Sequence, residues 1–123
     1  MEWEIAPDIH QEIKSLVKKL GFVHIKSSRI FVFRSYGSKS RAQARIWSLP
    51  KIWQKALKQK PAYCLEVITE KFNHLCKENR QKVLIHELLH IPQNFSGALL
   101  SHRRKGRVLN QRLVEFFFKK LHP

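Results

Sequence analysis

His86-Glu87-Leu88-Leu89-His90 has the residue types and spacing for hydrolytic chemistry. Residues four apart on a helix are neighbours, so its two imidazoles converge on one point and a single metal ion can take both. Glu87, one position along, then projects beside a water on that metal and accepts its proton. Zinc in such a place lowers the pKa of the water toward about 7 and polarises the carbonyl under attack. In a chain with 7 His and 9 acidic residues, chance supplies these three fixed positions on the order of 3% of the time. The neighbours sharpen the reading, because Leu84, Ile85, Leu88, Leu89 and Ile91 surround the motif with apolar side chains. Unpaired imidazoles and a carboxylate are costly to bury there, and a cation satisfies them. The bland alternative puts both histidines on a solvated stripe, with Glu87 an ordinary surface acid.

A catalytic zinc needs a third protein ligand and one open position. His102 is the first candidate, since a loop containing Pro92 and Gly97 could fold it back toward His90. Glu115, on a following helix, is the rival carboxylate. His10, His24, His74 and His122 fall outside any ligand spacing and read as ordinary surface or edge residues.

The elements that must hold these residues are visible in the apolar periodicity. Asp8 to Leu20 carries Ile9, Ile13, Leu16, Val17 and Leu20 at helical spacing, started by Pro7 and Asp8 and stopped by Gly21. Phe22 to Arg34 is rich in β-branched and aromatic residues, with Ile30-Phe31-Val32-Phe33 as its most strand-like run. Ser35 to Ser38 reads as a turn and Ala42 to Trp47 as another strand. Leu49-Pro50 opens a short helix through Leu57, ended by Pro61. Ala62 to Thr69 reads as a strand exposed on one face; residues Ala62 to Phe72 could equally be a core strand or an edge along which a peptide adds. Glu78 to Ile91 is a buried helix stopped by Pro92. Gln93 to Gly106 is a loop with one helical turn at Ala98 to Leu100. Val108 to Leu121 is a last helix burying Leu109, Leu113, Phe116, Phe117 and Leu121. This order predicts an α+β fold in one domain over residues 1–123. A three-to-four-stranded, mostly antiparallel twisted sheet packs on the motif helix, closed by the N- and C-terminal helices.

Composition bounds the rest. With 43% hydrophobic residues, the 123-residue chain can build a modest core. The acidic start Met1-Glu2-Trp3-Glu4 is unlike a secretory signal, and no apolar run reaches the roughly 18 residues needed to span a bilayer. A cytoplasmic protein with no membrane segment is expected. Cys64 and Cys76 form neither a zinc-ribbon spacing nor a disulfide framework and read as buried or half-buried free thiols. Lys and Arg number 24 against 9 acidic residues, a net charge of +15 that attracts polyanions by releasing their counterions. The densest basic run, Ser101 to Arg107, follows the proposed third ligand directly. No RNA-binding signature, zinc-finger spacing or aromatic stacking platform accompanies it.

At His86-Glu87-Leu88-Leu89-His90-Ile91-Pro92, followed by Phe95-Ser96-Gly97-Ala98-Leu99 and His102-Arg103, the sequence resembles the phage and prokaryotic metallopeptidase family, a set of minimal zincins. The resemblance runs from about Ala42 through the last helix. It implies a zinc ion held by His86, His90 and His102, Glu87 as general base, and a protein or peptide substrate. More distantly the sequence is similar to SprT-like and Spartan-type proteases, which act on DNA-bound proteins. No tyrosine or histidine is clearly placed to stabilise an oxyanion; Tyr63, Tyr36 and the basic loop are the options. The expected function is therefore zinc-dependent peptide hydrolysis. A basic nucleic-acid-binding module with a structural or vestigial zinc is the alternative from another class.

Overall fold

Pro7 and Asp8 begin the first helix where a missing N–H and an acidic side chain suit the positive end of the helix dipole, and Lys18 and Lys19 suit its other end. Gly21 takes φ of +67° just beyond it, a conformation that costs a side-chain-bearing residue more. The computed structural model describes residues 1–104 and 107–122. Its strands are β1 (Glu2–Ile5), β2 (Ile30–Tyr36), β3 (Ala44–Ser48), β4 (Tyr63–Ile68), β5 (Arg103–Arg104) and β6 (Arg107–Val108). Its helices are α1 (Pro7–Lys19), α2 (Lys51–Leu57), α3 (Thr69–Phe72), α4 (Lys77–Leu88) and α5 (Gln111–Leu121), with a 3-10 turn at Ser27–Arg29. The fold is α+β, as expected.

The main sheet has the order β1-β2-β4-β3, with β2 and β4 parallel and the two outer pairs antiparallel. One face carries Ile30, Val32, Ala44, Tyr63, Leu65 and Val67, all buried against the helices. From α1 come Ile9, Ile13 and Leu16, and from α4 Leu84, Ile85 and Leu88. Each such aliphatic side chain contributes about 1.5–3 kcal/mol by leaving water. All three helices that bear on the site, α1, α4 and α5, send side chains into this one core.

β4 differs from its expected form. It is paired on both sides and almost wholly buried, so neither an exposed face nor a free edge for a peptide exists at Ala62 to Thr69. The edge strands are β1 and β3, and β3 is the one near the motif helix. Its residues pair with β4 on one side only, and the strand runs beside α4.

α4 is polar in its first half and apolar in its second, so it enters the core end-on rather than lying across it. The helix stops at Leu88, short of the expected Ile91. Leu89 still bonds four residues back, to Ile85 O, but His90 N and Ile91 N reach only three back, to Glu87 O and Leu88 O, each at 3.1 Å. This tightened turn leads into Pro92, which has no N–H to continue the ladder.

At the C-terminal end the expected helical turn at Ala98 to Leu100 is absent, and Val108 lies in the small β5–β6 hairpin rather than in the last helix. Lys105 and Gly106 of the basic run lie outside the described residues. Asn110 caps α5, its Oδ1 accepting from Leu113 N at 3.1 Å. Val114 is buried where Phe116 was expected to be; Phe116 is 55% exposed. Among the described residues, no helix is long and apolar enough to cross a membrane. The cysteines are free, Cys64 half-buried and Cys76 exposed at the start of α4.

Candidate metal centre

His86 leaves the last full turn of α4, and His90 leaves the tightened turn after it. The two rings still meet, with Nε2 atoms 3.4 Å apart and centroids 5.1 Å apart. The chain from Ile91 to Ser101 then loops back and delivers His102, whose Nε2 lies 3.1 Å from His86 Nε2. One ring nitrogen from each of the three lies within 4.8 Å of the other two. Glu115 is elsewhere, its carboxylate 2.8 Å from Lys82 Nζ and accepting from Gln111. His10 bonds Ser27 O and His122 faces Gln81, outside the cluster.

The returning loop is shaped by contacts that no local pattern announces. Gly97 has φ of +93°, and a Cβ there would stand 2.7 Å from Leu49 O and collide with the Gln54 amide. That amide nitrogen donates to Leu49 O at 2.7 Å and to Ser96 O at 3.0 Å. The Tyr63 hydroxyl accepts from Gly97 N at 2.9 Å and donates to Ala98 O at 2.7 Å, while its ring packs edge-on against Phe95. Tyr63 is therefore a buried clamp from the central strand, not a free phenol awaiting an oxyanion, and Tyr36 lies at the far end of β2. Nearer the centre, Leu100 N donates to His90 O at 2.7 Å and Leu100 O accepts from His90 Nδ1.

Tyr63→Phe keeps the ring packing but strands a buried N–H and weakens the grip on the loop. We expect it to cost about 1–3 kcal/mol in urea unfolding and to lower metal affinity in a chelator competition. Parental values for both would show that the hydroxyl does not hold the loop.

The bond from His90 decides its tautomer. A carbonyl oxygen can only accept, so Nδ1 carries the proton and Nε2 keeps its lone pair directed at the other two rings. Burial, then the neighbouring imidazoles of His90 and His102, push His86 down to about 4, so it too is neutral and able to donate a lone pair at physiological pH. Burial likewise lowers His90, the Leu100 carbonyl opposing it and His102 adding to it. Burial raises Glu87, 7% exposed, to about 7. Three imidazole nitrogens converging beside a buried carboxyl form a poor hydrogen-bonding arrangement, because at most one proton can lie between any two of them. They form a good one for a metal ion, so the residues present fit such a group.

The centre opens into a groove of about 670 Å³. Ala44 and Ile46 of β3 line it together with Glu87, the histidines and Leu99 to Ser101.

Residues 1–113 match the family model described as "Putative phage metallopeptidase". The chain belongs to this family. The match takes in β1 and α1 as well as the motif, the loop and His102, and so reaches well before Ala42, where the resemblance in sequence begins. No curated protein matches, and no solved structure matches. The phage metallopeptidase family and the His86, His90 and His102 cluster agree on a metal-binding site, and the family implies a protein substrate.

Proposed function

We propose that the chain is a zinc-dependent peptidase of one domain, with His86, His90 and His102 as the metal ligands and Glu87 as the general base. The observation that carries this is the spacing of the three imidazoles. Zinc–nitrogen bonds of about 2.0–2.1 Å at tetrahedral angles require ligand nitrogens roughly 3.3–3.4 Å apart. The separations of His86 Nε2 from His102 Nε2 and His90 Nε2 are 3.1 and 3.4 Å. Three protein ligands leave the fourth position open, the pattern of catalytic rather than structural zinc.

Zinc bound there supplies a water of lowered pKa and polarises a carbonyl oxygen. Glu87 does the proton work. Its carboxylate takes the proton from the attacking water and returns it to the leaving amine. An extended peptide adds antiparallel to the free edge of β3, where main-chain groups at Ala44 to Ile46 hold it along the groove without demanding particular side chains. The charge of +15 favours substrates encountered on a polyanion, proteins bound to DNA among them.

Elemental analysis and a cleavage assay on an unfolded protein test the proposal together. We expect one zinc per chain and cleavage that a chelator stops and added zinc restores. Bound zinc without chelator-sensitive cleavage would turn the reading to a binding module with a structural ion.

A further inference from the structure

The second face of the sheet, turned away from α1, α4 and α5, buries Ser35, Glu66 and Ile68 but leaves aromatic rings of β1, β2 and β3 exposed around them. Strand partners in register share a face, so the pairings place Phe31, Cys64 and Trp47 in one row across the sheet. The next row is Ile5, Phe33, Glu66 and Arg45, and Trp3 begins a third beside Ser35. Trp3 is 57% exposed, Phe31 45% and Trp47 47%. Between the two tryptophans lies a slot of about 410 Å³ floored by Phe33, Cys64 and Glu66. Monomeric proteins rarely leave so many aromatic rings contiguous in water without a use for them.

Charge selects the occupant. The guanidinium of Arg29 lies 5.7 Å from the Phe31 ring centre, and that of Arg45 4.9 Å from Trp47. Arg29 is held in place by the Lys60 and Pro61 carbonyls. Glu66 is buried beneath, its Oε1 bonded to Arg45 and to Trp47 Nε1, so Glu66 and Arg45 offset one another and Arg29, bonded only to carbonyls among the described residues, carries the excess positive charge of this face. Glu2 and Glu4 alternate to the opposite face of β1, in register with Tyr36 and Arg34. Aromatic planes framed by cations, on a chain of net charge +15, suit a ligand that is at once polyanionic and made of flat rings. A second copy would bring the same positive charge against itself.

We propose that this sheet face binds single-stranded nucleic acid, bases stacking on Phe31, Phe33, Trp3 and Trp47 and the backbone meeting Arg29. The platform crosses all four strands, roughly 14 Å at about 4.8 Å per step, enough for a few nucleotides. Duplex DNA cannot use it, because its bases are already stacked. The surface does not depend on the hydrolytic reading, yet β3 borders both sites, with Trp47 on the platform and Ala44 and Ile46 on the groove.

The test is fluorescence anisotropy of a labelled oligothymidylate, with a duplex of equal length as comparison. Trp3→Ala and Phe31→Ala remove exposed rings that make none of the buried Glu66 bonds, and circular dichroism melts check that both remain folded. Each should weaken oligothymidylate binding about tenfold or more while changing duplex binding little. The parent should show quenched tryptophan emission on binding. Glu87→Gln and chelated protein should bind as the parent does, which separates this result from any failure of catalysis. Equal affinity of parent and ring variants for the single strand would overturn the proposal. So would sedimentation showing a dimer that Phe31→Ala dissolves, since the face would then belong to a second copy.

Discussion

Glu87→Gln should reduce peptide hydrolysis by a factor of at least 10²–10⁴ while leaving zinc content unchanged, because the amide fills the same space but cannot accept the proton. The same substitution should alter the pH dependence of folding in metal-free protein. Burial raises the Glu87 carboxyl from 4.5 to about 7, so the native chain holds a proton that the unfolded chain has released in that interval. Stability therefore falls as pH rises from 4.5 through 7, by about 3 kcal/mol for a shift of this size. His86 acts with the opposite sign between about 4 and 6.5: its lowered pKa makes stability rise with pH there, in parent and variant alike. The difference between the two urea-melt series isolates Glu87. We expect Glu87→Gln to be the more stable of the metal-free pair at pH 8, with the gap closing toward pH 4.5. Turnover that survives the substitution would remove Glu87 from the mechanism whatever the melts show.

His102→Ala and Glu115→Gln should behave in opposite ways. Loss of one of three imidazoles should cost more than the 10–100-fold in affinity typical of outer contacts, and hydrolysis should go with the metal. At saturating zinc the parent gains about 4 kcal/mol when the free ion stands at a thousand times its dissociation constant, and the His102 variant should lose most of that gain. Glu115→Gln disturbs only the half-exposed contacts with Lys82 and Gln111 and should hold zinc as the parent does. Isothermal titration of both variants decides between the two candidates. Zinc retained by His102→Ala and lost by Glu115→Gln would reverse the assignment and require α5 to move.

How much of this was readable in advance depends on how local each signal is. α1 and β2 could be seen because their apolar residues recur at fixed intervals, and the clustering of His86 with His90 follows from an i, i+4 spacing that survives even where the helix tightens. β1 passed unread although Trp3 and Ile5 alternate with Glu2 and Glu4. It is a four-residue edge strand, and only its pairing with β2 distinguishes it from a tail. β4 was misjudged for a related reason. Alternation with Cys64 and Glu66 suggests a wet face, and the cover that Arg45 and Trp47 provide comes from a strand whose register no single segment encodes. Tyr63 as a loop clamp, and the aromatic face assembled from four separate strands, are likewise products of long-range pairing. Two histidines and the acid of the candidate centre stand within five consecutive residues, whereas the loop that brings His102 to them depends on contacts far along the chain.

The reciprocal link between His90 and Leu100 ties the candidate metal centre to the chain beyond it. Two residues on from Leu100 comes His102, and His102 O in turn accepts from Leu109 N, which begins the approach to α5. Filling of the centre and ordering of the chain beyond it are therefore expected to be coupled, so that amide hydrogen exchange in metal-depleted protein should open this segment before the sheet.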